Sequence, residues 1–389
     1  MIDLHDERNT VLLTGATGFV GMEILARYAE QSDREVVALV RAASDEEAQE
    51  RLESTLAQVT VGGRPAGRRI TAIAADVERP GLGVDDARRR ELAARVSQIV
   101  HSAASVSFSL PLAESRQINV EGTRHMLEFA EEAARLGGLD RFAYISTAYV
   151  AGNHTGEFRE DDLDVGQSFR NAYEQSKYEA ESLVREHAGT LPVQIFRPSI
   201  VVGERRSGWT ASFNVLYSPL KAFVRGALPF LPADSRAPVD VVPVDYVADA
   251  IFALACEPAR EAGETIHLVS GRRATTVGRL AESAAAHLGR TPPLIAPPRL
   301  YRALVHPLLR RLLDDRKRRG LERSEVFFPY FTMRVHFDDA RARERLEPIG
   351  LKAAPVERYL PRLLDFARAA DWGRRDVSRG TWVAGPHNE

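Results

Sequence analysis

Thr10-Val11-Leu12-Leu13-Thr14-Gly15-Ala16-Thr17-Gly18-Phe19-Val20-Gly21 is the stretch that decides the fold. Residues 10–13 are β-branched and apolar, the composition of a short strand. Three glycines follow, and a helical pattern runs on to Tyr28. Strand, glycine-rich turn and helix together make a cradle for a pyrophosphate. Gly15 allows the tight turn, Gly18 lets backbone come close to phosphate, and Gly21 lets the helix pack on the strand. The helix N-terminus then presents N–H groups to the anion. A glycine-rich turn without a ligand is the plainer reading, but strand, spacing and helix together favour dinucleotide binding.

The alternation repeats outward from there. Residues 35–40 read as a strand, 45–59 as a helix and 70–75 as a strand running into Asp76-Val77. A helix over 85–96 and a strand over 98–101 follow, then the small residues Ser102-Ala103-Ala104-Ser105, where backbone can lie close to a cofactor. His101 ends an apolar strand, so it reads as core. Residues 119–136 read as a helix and 142–145 as a strand, with Ser146-Thr147 at its carboxyl end. Repeated β-α units predict a doubly wound, Rossmann-like parallel sheet, with ligands at the strands' carboxyl ends. Arg41 closes the second strand. An acid there would accept from an adenosine ribose, whereas a guanidinium fork suits a 2′-phosphate, so NADP(H) is the expected cofactor.

Tyr173-Glu174-Gln175-Ser176-Lys177 lies in a segment, 171–187, rich in helix formers and free of Pro and Gly. Tyrosine and lysine four apart share one helix face. A free phenol has a pKa of about 10, and a neighbouring ammonium lowers it, so the pair suits proton exchange with a substrate oxygen. Alone, the spacing fits a solvated helix face equally well. A strand over 192–196 leads to Arg197-Pro198-Ser199-Ile200, and regular alternation then fades. Later expectations are a strand at 240–243, a helix at 244–256, a strand at 265–269 and a helix to Leu288.

Composition bounds the rest. The chain has 389 residues, 44% apolar and 27% charged, with net charge −2, values of an ordinary globular protein without a bias towards nucleic acid. One cysteine, Cys256, excludes a disulfide framework and a multi-cysteine metal site; no metal is expected, and Cys256 reads as buried filler in an apolar run. The N-terminus carries acids, and no run reaches the length of a transmembrane helix, so a cytoplasmic protein is expected. Peripheral membrane contact and oligomeric state are left open. Residues 302–319 are basic and amphipathic, either a lid or a partner-docking face. The tail from Asp371 is expected to be loosely ordered.

With the Thr14-to-Gly21 turn, Ser146-Thr147 and Tyr173/Lys177 in this order, the chain resembles the extended short-chain dehydrogenase/reductase superfamily over residues 10–269. The resemblance implies a carbonyl-bonding role for Thr147, an acid/base role for Tyr173, and a ribose-binding, pKa-lowering role for Lys177. It implies cofactor contacts from Gly15, Thr17, Gly18, Phe19, Val20, Gly21, Arg41, Asp76, Val77, Ser102, Ala103, Ala104, Ser105, Asn119, Lys177, Pro198, Ser199 and Ile200. His-Ser-Ala-Ala-Ser at 101–105 departs from the commoner Ala-Ala-Gly-like loop. Ile145 to Val150, Arg197 to Val201 and Asp240 to Asp245 look like fatty acyl-CoA reductases and carrier-protein thioester reductases.

That subgroup implies hydride delivery from NADPH to an acyl thioester of coenzyme A or a carrier protein, giving an aldehyde and in some members an alcohol. Residues 1–202 with 240–270 would bind the dinucleotide. Residues 203–239 and 271–370 would form a smaller, mostly helical substrate region, and 371–389 a flexible tail. A medium-to-long acyl chain is expected against the aromatic stretch from Trp209 to Phe230 and the leucines from Leu304 to Leu313. Two other readings stay open: another activity on this fold, either a carbonyl reductase or a nucleotide-sugar epimerase or dehydratase, and a non-catalytic dinucleotide sensor.

Overall fold

The structure is a computed structural model, and it describes residues 9–61, 69–213, 215–226, 230–257, 260–301, 303 and 327–385. Seven strands form its central sheet: β1 (Thr10–Thr14), β2 (Glu35–Val40), β3 (Ile70–Ala74), β4 (Val96–His101), β5 (Arg141–Ile145), β6 (Val193–Pro198) and β7 (Glu264–Leu268). Their order is β7-β6-β5-β4-β1-β2-β3, and every pairing is parallel. A parallel sheet needs crossovers, and the helices supply them. These are α1 (Phe19–Gln31), α2 (Asp45–Val59), α3 (Asp86–Arg95), α4 (Gly122–Leu136), α5 (Ala172–Glu186) and α6 (Val244–Cys256).

Both sheet faces are covered, so β1, β4, β5, β6 and β7 are buried along their whole length, and only Glu35 in β2 and Thr71 and Ala74 in β3 are partly exposed. The period of two divides β1: Val11 and Leu13 pack with Leu52 of α2 and Val247, Ile251 and Leu254 of α6, whereas Leu12 packs with Met126 and Phe129 of α4 and Val184 of α5. Each such fully buried side chain contributes about 1.5–3 kcal/mol. Strand order reverses between β1 and β4, and the crevice at their carboxyl ends is where open α/β sheets take ligands.

The remaining chain builds a second core over that crevice. It includes α7 (Val277–His287) and α8 (Leu360–Ala369), a short helix Tyr217–Val224, and small strand pairs. In one pair Arg334–Phe337 lies parallel to Thr155–Phe158, tying a late segment to the loop after β5. Tyr217, Leu220, Phe331, Val335, Tyr359 and Leu363 belong to this core.

Four expectations change. The helix expected from Asn119 starts as α4 at Gly122, because a π-helical turn spans Gln117–Glu121 and carries Asn119. Cys256 ends α6 and is exposed rather than buried. The tail is anchored through residue 385: α9 (Arg379–Val383) places Arg379 against buried Glu23 of α1, and Trp382 Nε1 donates to the Ser207 carbonyl at 2.7 Å. Trp209 does not line a substrate surface. It is fully buried beside Met22, Phe366 and Trp382, and its Nε1 donates to the Val377 carbonyl at 2.8 Å. A large indole gains more from a dry core with a partner for its N–H than from a half-wet groove. The expected leucine face from Leu304 to Leu313 and the basic run over 302–319 lie outside the described residues, apart from residue 303. Among the described residues no helix is long and apolar enough to cross a membrane, and no cluster of His, Cys, Asp and Glu could hold a metal ion.

Candidate active site

The glycine turn is shaped as its spacing predicts. Gly15 holds φ +72°, and a Cβ there would meet the Ala103 nitrogen and the Ser102 carbonyl carbon at 2.7 Å. Glycine alone satisfies both demands. A Cβ on Gly21 would stand 2.0 Å from the Gly15 carbonyl oxygen, so α1 begins in contact with the turn itself. Gly18 caps α1 without a side chain, and no acidic residue stands in the first turn. By contrast α2, α3 and α5 receive side-chain caps from Ser44, Asp85 and Asn171. The first N–H groups of α1 thus lack a side-chain acceptor, a vacancy that suits an anion. Thr17 and Gly18 are exposed at the rim, with Phe19 and Val20 half-buried behind them. These residues fit a dinucleotide pyrophosphate.

Arg41 stands at the end of β2, its guanidinium 74% exposed and 3.0 Å from Glu78 Oε1. An exposed pair of this kind is worth little, so a 2′-phosphate can replace the carboxylate as the guanidinium's partner. Asp76 and Val77 follow β3 in a turn closed by the Asp76 N–H donating to the Leu82 carbonyl, while the Val77 carbonyl meets His125 Nδ1 at 2.8 Å.

A chain of hydrogen bonds joins this cradle to the tyrosine helix. Thr14 Oγ1 accepts from the N–H groups of Ser102 and Ala103 and lies 2.8 Å from His101 Nδ1. The Thr123 hydroxyl donates to the Asn119 carbonyl, so His101 Nε2–H must donate to Thr123 and Nδ1 must accept from Thr14. Burial, with Lys177 adding to it, pushes His101 down to about 3, so the ring is neutral. His101 is a strut in the core, as its strand position indicates. Asn119 continues the chain: its Oδ1 accepts from Ser105 N–H, and its Nδ2 donates to the Ser105 carbonyl and the Ser176 hydroxyl. Both amide protons are used inside the protein. Asn119 therefore sets the 102–105 loop against α5 rather than donating to a cofactor.

On α5, Asn171 caps the first turn by accepting from Glu174 N–H at 3.0 Å. Tyr173 and Lys177 then fall one turn apart on one face. Lys177 is buried, and its Nζ donates to the Tyr144 hydroxyl and the Ile145 carbonyl, both at 2.8 Å. Burial lowers Lys177 to about 7 against the pull of Glu181. Burial raises the Tyr173 phenol to about 12, while a hydrogen bond from Thr147 pulls the other way. Desolvation is the largest cause for both groups, and Thr147 rather than Lys177 is the neighbour that lowers Tyr173. A phenol held protonated is a proton donor. The Thr147 hydroxyl also reaches the Pro198 carbonyl at 3.4 Å, placing Pro198 at the end of β6 beside the pair. Ser199 N–H donates to the Leu268 carbonyl, and Ile200 pairs with Val241, so this segment seals the site's floor.

Beneath it lies a buried ionic cluster. Ser146 donates to Glu181 at 2.6 Å, and Arg197, fully buried, pairs with Glu181 at 2.6 Å and donates to the Asp162 carbonyl. Burial opposes ionisation of Glu181, but Arg197 and Arg185 more than offset it and its carboxyl lies below the usual range. This cluster holds β6 and the loop before α5 against the helix that carries Tyr173.

Two residues at the site carry no signal in the sequence. The Phe108 ring stacks on Tyr173, with centroids 5.6 Å apart, and on Tyr330 at 5.4 Å. The Tyr330 hydroxyl donates to Glu174 Oε1 at 2.6 Å and accepts from Asn171 Nδ2 at 2.7 Å. Phe108 sits in an irregular loop, and Tyr330 is 156 positions from Glu174, so no local pattern marks either. The structure brings together Thr147, Tyr173, Lys177, Pro198 and the 102–105 loop, with Gly15 touching that loop; Arg41, Asp76 and Val77 lie at the ends of β2 and β3.

The sequence profile of the Male sterility protein family matches residues 13–251. Over 248 residues the chain is 38% identical to an isonitrile lipopeptide synthase of Streptomyces coeruleorubidus, covering 63% of this chain and 16% of that one. Over 289 residues it is 29% identical to the fatty acyl-CoA reductase wat of Drosophila melanogaster, covering 66% of this chain and 55% of that one. The chain thus spans from about a sixth to just over half of these relatives' lengths. The crystal structure of the terminal R domain from the myxalamid PKS-NRPS biosynthetic pathway superposes with a TM-score of 0.81 at 27% identity, covering 94% of this chain and 91% of that one.

Proposed function

The chain belongs to the Male sterility protein family, on the extended short-chain dehydrogenase/reductase fold, and from that premise we propose that it is an NADPH-dependent reductase of acyl thioesters. The observation that carries the reading is the hydrogen-bonded path from Thr14, beside the glycine cradle, through Asn119 to the helix of Tyr173 and Lys177. It sets a dinucleotide cradle and a proton donor in one crevice. The relatives add the substrate class: one is named a fatty acyl-CoA reductase, and another is an R domain of a PKS-NRPS pathway. We propose a thioester on a carrier protein or on coenzyme A as the substrate, and a cytoplasmic location.

When bound, NADPH supplies the hydride. Gly15, Gly18 and Gly21, with Thr17, Phe19 and Val20, would hold the pyrophosphate, and Arg41 would take the 2′-phosphate. Asp76 and Val77 would serve the adenine, and Ser102 to Ser105 with Pro198, Ser199 and Ile200 would serve the nicotinamide. Thr147 and Tyr173 donate hydrogen bonds to the carbonyl oxygen as negative charge grows on it. Tyr173 gives up its proton when an alkoxide product requires it. Lys177, between the Tyr144 hydroxyl and the Ile145 carbonyl, orients that end of α5 and would bind the ribose. A thiol leaving group, with a pKa of about 8.5, departs with little assistance. Residues 1–202 with 240–270 form the dinucleotide unit in this reading, and 203–239 with 271–370 the substrate-facing unit.

The test is a panel of acyl thioesters, aldehydes and sugar nucleotides, followed by NADPH absorbance. Thioester-dependent oxidation of NADPH with release of free thiol is expected. Turnover of sugar nucleotides with no thioester reduction would replace this reading with the epimerase alternative.

A further inference from the structure

Tyr330 also lines a cavity whose other walls are mostly apolar side chains, among them Phe327, which packs on Phe108 at 5.6 Å. Val239, Phe331, Met333, Val335 and Phe337 are among its lining residues, and Tyr149 meets the Tyr330 ring edge-on at 5.3 Å. Arg334–Phe337 alternates strictly, so Val335 and Phe337 turn inward while Arg334 and His336 face solvent. The one carboxylate in the wall, Asp240, is engaged elsewhere, accepting from the N–H groups of Ser270 and Gly271 at 2.8 and 2.9 Å. With Asp240 and the Tyr330 hydroxyl engaged, the apolar side chains of this wall suit hydrocarbon.

Tyr330 is the wall residue tied by hydrogen bonds to the helix of the catalytic tyrosine. One ring face is covered by Phe108, which itself lies on Tyr173. Its hydroxyl is held on two sides by Asn171 and Glu174, the residues flanking Tyr173 two before and one after, and Arg170 lies 5.6 Å from the ring centre while pairing with Glu174. The ring is therefore fixed to the first turn of α5, not to its own segment alone. We propose that Tyr330 is a specificity-determining partition: it closes the apolar cavity to the acyl chain of the substrate and so limits the chain length the site accepts. This rests on the thioester reading for the nature of the substrate, but the partition itself is a statement about binding.

The experiment therefore measures binding apart from turnover. S-alkyl pantetheine thioethers, unreactive mimics of acyl thioesters, are titrated by calorimetry in the presence of NADP⁺, across a series from short to long alkyl chains. The full chain is compared with Tyr330→Ala and Tyr330→Leu, the leucine variant keeping an apolar side chain in the core in case the alanine variant does not fold. In the parent, affinity is expected to stop rising at a short chain. In the variants it is expected to go on rising by about fourfold per added methylene, the factor that ~0.8 kcal/mol per buried CH₂ corresponds to. An identical length dependence in parent and variants, or no thioether binding in any of them, overturns the partition. NADPH oxidation with matched acyl thioesters is run in parallel. If the parent reduces none while the thioether profiles still diverge, the reaction class falls and the partition stands.

Discussion

Lys177 offers the sharpest quantitative test, because it is a buried cation with two neutral acceptors and a titration point moved into the working range. Its pKa is lowered to about 7 by burial, whereas an unfolded lysine keeps its proton up to about 10.4. The folded pKa is the lower one, so between the two values the unfolded chain binds more protons. Stability from this group then rises with pH across that window and is lost as pH falls towards 7. The full slope is about 1.4 kcal/mol per pH unit, and integrating over both titrations leaves roughly 2 kcal/mol between about pH 7.5 and about pH 9.5. Lys177→Met removes the titrating group and keeps an apolar stem of similar length. Urea unfolding of both proteins at the two pH values, with the other ionisable groups cancelling in the difference, is the assay. The parent is expected to gain roughly 2 kcal/mol more than the variant on going to the higher pH. Equal gains in both proteins would show that Lys177 keeps an ordinary pKa in the folded state, and the account of desolvation at this site would be wrong.

Tyr173→Phe removes the proton donor and keeps the stack on Phe108, so turnover is expected to drop by about 10²–10⁴ while NADPH still binds. Near-parental rates, with cofactor binding checked by fluorescence, would take Tyr173 out of the mechanism. Arg41→Asp replaces the guanidinium with a ribose acceptor; KM for NADPH is expected to rise by an order of magnitude or more and preference to move towards NADH, as steady-state kinetics with both cofactors will reveal. Arg379→Met leaves Glu23 buried with only Arg27 as its partner, so a loss of about 3 kcal/mol is expected in urea unfolding. A loss within a few tenths of a kcal/mol would mean that α9 is not a structural anchor.

The parts of this protein that depend on neighbours in the chain were legible beforehand. A strand period of two, a helix period near four and the strain relieved at Gly15 are local properties, so the β-α alternation and the spacing of Tyr173 and Lys177 could be read directly. The cofactor cradle follows from them, since strand, turn and helix are contiguous. His101 was also readable as core, because an apolar strand leaves its last side chain little but neighbouring backbone and hydroxyls.

Other features come from groups that meet only after the chain has folded. Tyr330 reaches Glu174 across 156 positions and Arg379 reaches Glu23 across 356, and neither pair carries a local pattern. The same holds for charge. The Tyr-x-x-x-Lys spacing implies an ammonium beside a phenol, yet the burial of Lys177 beneath Tyr144, and the partial burial of Tyr173 against Phe108, move both pKa values towards their neutral forms. Sequence spacing determines which groups share a helix face. The dielectric around them is a property of everything packed against that face, and the tertiary structure alone decides it.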